Sequence, residues 1–209
     1  MSDVVLYDFW RSSAAYRVRI VLNIKGVAYR SVPIDLGRGA QSGADYKALN
    51  PQGLVPALAI DGLLLTQSLA IIDYLDANYK DPPMVSSDPA SRSRTLAQAL
   101  IIAADIHPIN NLRVLNYLRR ELGQGEEAVN SWYRHWIAEG LAALEAQAPE
   151  NGLFGGAFPN MADVCLVPQL ANARRFDQPL EAYPKLVAID AALRALPAFA
   201  AAAPEAVKI

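Results

Sequence analysis

Over the first 80 residues the apolar positions switch between a strand rhythm and a helix rhythm. Val4-Val5-Leu6-Tyr7 is a short continuous apolar run of the kind a buried strand presents. Ala14, Val18, Val21 and Leu22 then recur at helical spacing, which predicts a helix over about 14–25 stopped by Gly26. Residues 28–32 alternate and predict a second strand. A strand, a helix and a strand in this order form a βαβ unit, so the two strands are expected to be parallel. The loop 35–42 carries Gly37 and Gly39 and is expected to be mobile, and a short helix is expected to end near Asn50. Ala57-Leu58-Ala59-Ile60 and Leu63-Leu64-Leu65 flank Asp61-Gly62, a two-residue hairpin signal. Leu69, Ile72 and Leu75 mark the apolar face of a helix ending near Asn78. The expected order through residue 80 is β-α-β-α-β-β-α.

Beyond it the strand rhythm disappears. Asp81-Pro82-Pro83 breaks the chain, and Ser86-Ser87-Asp88-Pro89 reads as a linker, an N-cap and a proline at the first helical position. Leu96, Ala99, Leu100 and Ala103 mark a long helix with a kink expected at Pro108. Trp132, Trp136, Ile137, Gly140, Leu141 and Leu144 mark another. A helix from Met161 to about Ala173 follows, capped by Asn160 with Asp163 three positions on, close to a capping box. Helical stretches at 184–193 and 197–202 finish the chain. The expected organisation is an α/β domain over 1–82 and an all-helical domain over 88–209.

Composition narrows the function classes. With 53% apolar residues the chain of 209 supports a packed core, and a net charge of −2 gives no electrostatic case for nucleic acid or an anionic membrane. The apolar runs are far shorter than the roughly 20 residues of a membrane-spanning helix. Met1-Ser2-Asp3 lacks the basic and apolar regions of a signal peptide, so none is expected. One cysteine, Cys165, precludes an internal disulfide and suits a reducing cytoplasm, and two scattered histidines with it make no standard zinc site. Cys165 lies in an apolar run and reads as an inert buried thiol.

Residues 10–20, Trp-Arg-Ser-Ser-Ala-Ala-Tyr-Arg-Val-Arg-Ile, are the candidate chemistry. Two serines at a strand-to-helix junction serve either as a helix cap alone or as an anion site built on the free N–H groups behind them. The residues leave both readings open.

Arg11-Ser12-Ser13 with Arg17-Val18-Arg19-Ile20 resembles the signature of zeta-class glutathione transferases, the class containing maleylacetoacetate isomerase. Supporting segments run along the chain: Ala48-Leu49-Asn50-Pro51, Val55-Pro56-Ala57-Leu58, Gln67-Ser68-Leu69, Asp105-Ile106-His107-Pro108-Ile109-Asn110-Asn111, and the run from Met161 to Gln169. The resemblance implies a thioredoxin-like first domain, a helical second one, a glutathione cofactor and a cytoplasmic homodimer. It implies cis–trans isomerisation of a maleyl keto acid, assisted by the glutathione thiol. Ser12 is then the thiolate-stabilising residue, with Ser13 and Arg11 beside it. Val55 offers its backbone to the cysteinyl part, next to a Val55–Pro56 bond implied to be cis. Gln67 and Ser68 take the γ-glutamyl carboxylate, and Gln41 the glycyl end. His107 and Asn111 belong to the glutathione pocket, and Asp105 to a contact across the dimer. Arg11, Arg113 and Arg175 hold the acidic ends of the substrate, a task that suits the fixed fork of arginine. His107, taken without the resemblance, reads as a packing residue.

The chain departs from its class just after the serines. Where the class usually has Cys-Ser and then Trp, this chain has Ala14, Ala15 and Tyr16. That removes a protein thiol beside the reacting sulfur. Two alternatives follow: a general transferase acting on small α-halo acids, and a glutathione-binding domain without catalysis.

Overall fold

The computed structural model describes residues 4–208; Met1–Asp3, on which the reading of the leader rests, and Ile209 lie outside the described residues. Two compact units divide the chain. One runs through Met84 and resumes at Ala195, and the other is Val85–Arg194.

The first unit contains the βαβ unit and the hairpin. Strand β1 (Val5–Asp8) leads into helix α1 (Ser13–Ile24) and strand β2 (Arg30–Pro33), which pairs parallel to β1. A short 3₁₀ turn (Ala40–Ser42) and α2 (Ala44–Leu49) precede β3 (Ala57–Ile60), β4 (Leu63–Thr66) and α3 (Ser68–Asn78). The sheet order is β2-β1-β3-β4, and β3 is antiparallel to both neighbours. Asp61 and Gly62 both take positive φ, 51° and 77°, as a tight hairpin turn of the primed type requires.

Helix α1 is buried on every side from Ser13 to Leu22, not along one stripe as the periodicity suggested. The C-terminal segment explains this. Helix α10 (Pro197–Ala202) packs on α1, where Arg19 Nε donates to Ala202 O at 2.9 Å and Asn23 Nδ2 to Ala198 O at 3.0 Å. The chain after Arg194, expected in the helical domain, therefore belongs by contact to the first unit, and it includes a further short helix, α11 (Pro204–Val207). The opposite side of α1 meets α3. At its C-terminal end Lys25, its side chain fully buried, bonds Asp76 at 2.8 Å and the carbonyls of Tyr79 and Pro82. In α3 the inward residues are Ile71, Ile72 and Leu75; Leu69, expected on that face, is half-buried.

The second unit is helical throughout: α4 (Pro89–Leu100), α5 (His107–Ile109), α6 (Leu112–Arg120), α7 (Glu126–Gln147), α8 (Met161–Arg175) and α9 (Pro184–Arg194). Asp88 caps α4 by accepting from Ser91 N at 2.8 Å. The break expected at Pro108 begins earlier, in a wide π-helical turn over Ile101–Ile106. Gly140 accounts for the close fit there. A Cβ at this position would stand 2.3 Å from Ile106 Cδ1, so only glycine lets α7 approach that turn.

Helix α8 forms the middle of the unit, buried at every position from Met161 to Leu170. Its N-terminus carries the expected capping box. Asn160 Oδ1 accepts from Ala162 N and Asp163 N, and Asp163 Oδ2 accepts from Asn160 N at 2.9 Å. The fully buried Asp163 also accepts from Phe154 N (3.0 Å) and Gly155 N (2.8 Å), which ties the preceding loop to the helix.

Burial pushes the Asp163 carboxyl up to about 6 from its ordinary 3.8, over the opposing pull of those three N–H groups. Between roughly pH 4 and 6 the folded chain then holds a proton that the unfolded chain has released, so this group's contribution to stability declines as pH rises through that window. Asp163→Ala is expected to lower stability by about 2–4 kcal/mol and to remove this part of the pH slope. Urea midpoints at about pH 4.5 and pH 7 measure both effects; a variant with the wild-type midpoint and slope contradicts the assignment.

Candidate functional site

Sheet register gathers three loops at one end of the first unit. Tyr7 pairs with Ala57, and Ala57 with Thr66. The turn leaving β1, the loop entering β3 and the step from β4 into α3 are therefore neighbours. Asp8 pairs with Pro33 on the other side, so the loop after β2 starts at the same end.

The turn between β1 and α1 carries Arg11, Ser12 and Ser13. Ser12 N donates to Phe9 O at 2.8 Å, and Ser12 takes extended backbone angles as the N-cap of α1. Its Oγ accepts from Ala15 N at 3.2 Å. A serine hydroxyl has a single hydrogen, so an oxygen engaged this way leaves its O–H to donate outward. Ser13 is buried as the first residue of the helix. The exposed Arg11 lies over the Trp10 ring, its Cζ 4.9 Å from the centroid. Trp10, Arg11, Asp35 and Val207 help to line a cleft of about 280 Å³, and Lys208 Nζ lies 5.0 Å from the Trp10 ring.

Behind this turn stands a buried ion pair. Arg19 Nη1 lies 2.8 Å from both oxygens of Asp8, the last residue of β1. Arg19 Nη2 donates to Trp10 O at 3.1 Å, one residue before Arg11. Neither Asp8 nor Arg19 is more than 4% exposed.

In the loop before β3, Tyr46 Oη and Asn50 Nδ2 both donate to Leu54 O, at 2.7 and 2.8 Å. This fixes the residue ahead of Val55, and the Val55–Pro56 bond is cis, as the resemblance implied. Val55 is half-buried and Pro56 buried. Gln41, in the 3₁₀ turn, has a buried Oε1 that no hydrogen-bond donor meets among the described residues. Gln67 precedes α3 with φ of +67°, a strained backbone for a residue with a side chain, and its Nε2 donates to Gln52 Oε1 at 3.0 Å. It makes no side-chain cap, so the first N–H groups of α3 are not satisfied by Gln67. Ser68, buried at that helix start, accepts at Oγ from Arg17 Nη1 at 3.2 Å.

The second unit holds the other candidates. Asp105 is exposed in the wide turn, and His107 is half-buried one residue beyond it. Asn111 caps α6, its Oδ1 accepting from Arg113 N at 3.1 Å, and Arg113 is exposed. Arg175 is the exposed last residue of α8, its Cζ 5.3 Å from the Phe176 ring. Phe176 stacks on Tyr133 with centroids 3.6 Å apart, and Tyr133 Oη shares a hydrogen-bond pair with Asn172. Burial raises the Tyr133 pKa against the opposing effects of Asn172 and Arg175, so the hydroxyl stays neutral. Among the described residues no cluster of three or more metal-ligating side chains occurs, and no helix is long and apolar enough to cross a membrane.

Sequence reasoning passed over Asp8 and the two arginines of α1. Their signal was present: Arg17 and Arg19 are charges inside an otherwise apolar stretch, and both are only 1% exposed. Charges buried this deeply are retained only with partners.

The first unit as a whole offers donors of several kinds on a rigid frame: outward-directed hydroxyls, an uncapped helix start and a guanidinium. Donors of this kind suit an anionic ligand. Residues 2–77 match the family model described as glutathione S-transferase, N-terminal domain. The chain is 51% identical to a probable maleylacetoacetate isomerase of Vibrio cholerae, over 98% of this chain and 97% of that one. A solved holo structure of maleyl pyruvate isomerase, described as a bacterial glutathione transferase in the zeta class, matches with a TM-score of 0.95 at 45% identity, covering 98% of both chains. A maleylacetoacetate isomerase from Anaeromyxobacter dehalogenans, solved with dicarboxyethyl glutathione and citrate in its active site, matches with a TM-score of 0.87 at 39% identity, over 99% of this chain and 96% of that one. Likeness of this extent over the full length places the chain in the family: it belongs to the zeta-class glutathione transferases, among the maleylacetoacetate and maleylpyruvate isomerases.

Proposed function

We propose that this protein is a glutathione-dependent cis–trans isomerase that converts a maleyl keto acid into its fumaryl form. The observation that carries the reading is the Ser12 turn, where a hydroxyl already accepting from its own helix has its hydrogen left to donate to a thiolate. The names of full-length relatives, maleylacetoacetate isomerase and maleylpyruvate isomerase, support the same reaction. They do not favour the α-halo acid transferase or the silent binding domain.

Glutathione, when bound, supplies a thiolate that adds reversibly to the maleyl double bond, allows rotation about the resulting single bond, and is regenerated by elimination. The chain's own residues prepare that chemistry. Ser12, with Ser13 and the N–H groups opening α1, favours the ionised over the protonated thiol, and each unit of pKa depression corresponds to about 1.4 kcal/mol of such preference. Val55 presents its backbone to the cysteinyl part as an added strand would use it. Gln67 and Ser68, with the start of α3, take the γ-glutamyl carboxylate, and Gln41 the glycyl end. His107 and Asn111 we assign to the glutathione pocket, and Asp105 to a contact across a homodimer. Arg11, Arg113 and Arg175 fix the acidic groups of the substrate. Because Ala14 and Ala15 stand where a cysteine and a serine are usual, the only sulfur this chemistry uses is that of glutathione. We place the enzyme in the cytoplasm, where its single thiol stays reduced.

The direct test follows maleylacetone and maleylpyruvate with glutathione held far below the substrate concentration. Conversion to the fumaryl isomer without net loss of thiol is expected; failure with both substrates contradicts the isomerase reading. Ser12→Ala is expected to raise the pKa of the bound glutathione thiol by about one unit, read from thiolate absorbance against pH. An unmoved titration removes the hydroxyl from its role.

A further inference from the structure

Resting on the assignment of Ser68 to the γ-glutamyl carboxylate, we propose that Arg17 is a positioning residue for glutathione: it sets the direction in which Ser68 donates. Arg17 is 1% exposed and Ser68 6% exposed, and Arg17 Nη1 stands 3.2 Å from Ser68 Oγ. A guanidinium donates and never accepts. Facing it, Ser68 must use an oxygen lone pair, so the single hydroxyl hydrogen is turned away from Arg17.

Ser68 is also the first residue of α3, whose leading N–H groups receive no side-chain cap from Gln67. The outward O–H and these N–H groups are thus available to the same anion. Arg17 adds a positive charge one hydroxyl behind that anion, at a depth where solvent screening is weak. It also polarises the O–H it faces, which strengthens the outward bond. A neutral residue at 17 would leave Ser68 free to rotate and to offer a lone pair, which repels a carboxylate. The spacing follows from the helix. Residues 17 and 19 lie about 200° apart around α1, so Arg19 turns to Asp8 and Arg17 turns to α3.

A chemical cycle on the ligand separates this role from a merely structural one. Binding is measured by calorimetry for glutathione and for γ-aminobutyryl-cysteinyl-glycine, which keeps the amine of the glutamyl residue and lacks only its α-carboxylate. A control ligand with the α-carboxylate amidated isolates the carboxylate. The wild type is expected to favour glutathione over the amide by on the order of a hundredfold. Arg17→Met is expected to cut that preference to about tenfold or less, equivalent to roughly 1.4 kcal/mol or more, and Arg17→Lys to keep most of it. Equal losses for both ligands in Arg17→Met, with the preference unchanged, overturn the proposal and leave the glutathione site standing. A wild type that binds glutathione and the amide equally overturns the Ser68 assignment and this inference with it. If Arg17→Met does not fold, Arg17→Leu, which also removes every donor at this position, is read in the same way: a fallen preference supports the proposal and an unchanged one overturns it.

Discussion

The buried pair of Asp8 and Arg19 braces the first unit beside the turn that carries Arg11, Ser12 and Ser13. Asp8 ends β1, and Arg19 lies in the middle of α1. With its remaining donors Arg19 reaches the Trp10 carbonyl in the turn between them and the Ala202 carbonyl at the end of α10. One guanidinium thus joins a strand, a turn, a helix and the C-terminal segment. Removing two charges from water is costly, and such a pair is weak evidence for stability in itself. Its value lies in specifying geometry. An apolar side chain could fill the volume, but it would leave the carbonyls of Trp10 and Ala202 without these donors.

A second arrangement repeats at Ser12 and Ser68, the two serines we propose as donors to glutathione. Ser12 accepts from the N–H of Ala15, and Ser68 accepts from Arg17. In each case an inward donor occupies the oxygen and directs the hydrogen outward. A hydroxyl can be donor or acceptor, and an inward donor biases each of these two toward donating to an outside anion. Pre-set donors aimed at an anion lose little to reorganisation when it forms. The same helix, α1, supplies both inward donors.

Much of this was legible in the sequence, and the reasons for the rest are physical. The βαβ unit, the Asp61-Gly62 hairpin and the Asn160/Asp163 cap follow from short-range rules, and the structure contains all three. The tail after Arg194 was assigned to the wrong unit because helical periodicity says which face is apolar but not what covers it. The break was read from Pro108, but its extension back over Ile101–Ile106 was not. Ile106 packs there against the bare backbone of Gly140, a residue distant in sequence. Of the residues proposed for the site, Ser12, Val55 and Ser68 were named through motif resemblance. Arg17 and Arg19 lay inside the same motif, but their partners, Ser68 and Asp8, are fixed by the packing of α1 and not by sequence spacing.

If the Asp8–Arg19 pair sets the geometry of the Ser12 turn, stability and thiolate chemistry can be pulled apart. The decisive measurement is the pKa of the glutathione thiol bound to Asp8→Leu/Arg19→Met, beside the denaturation midpoint of the same protein. An apolar pair of similar volume should leave the protein folded, with a loss of about 1–3 kcal/mol for each carbonyl left without its donor. The bound thiol should nonetheless titrate about one unit higher than in the wild type, because the Trp10 carbonyl has lost its anchor. A folded double variant whose bound thiol titrates where the wild type does would contradict the claim.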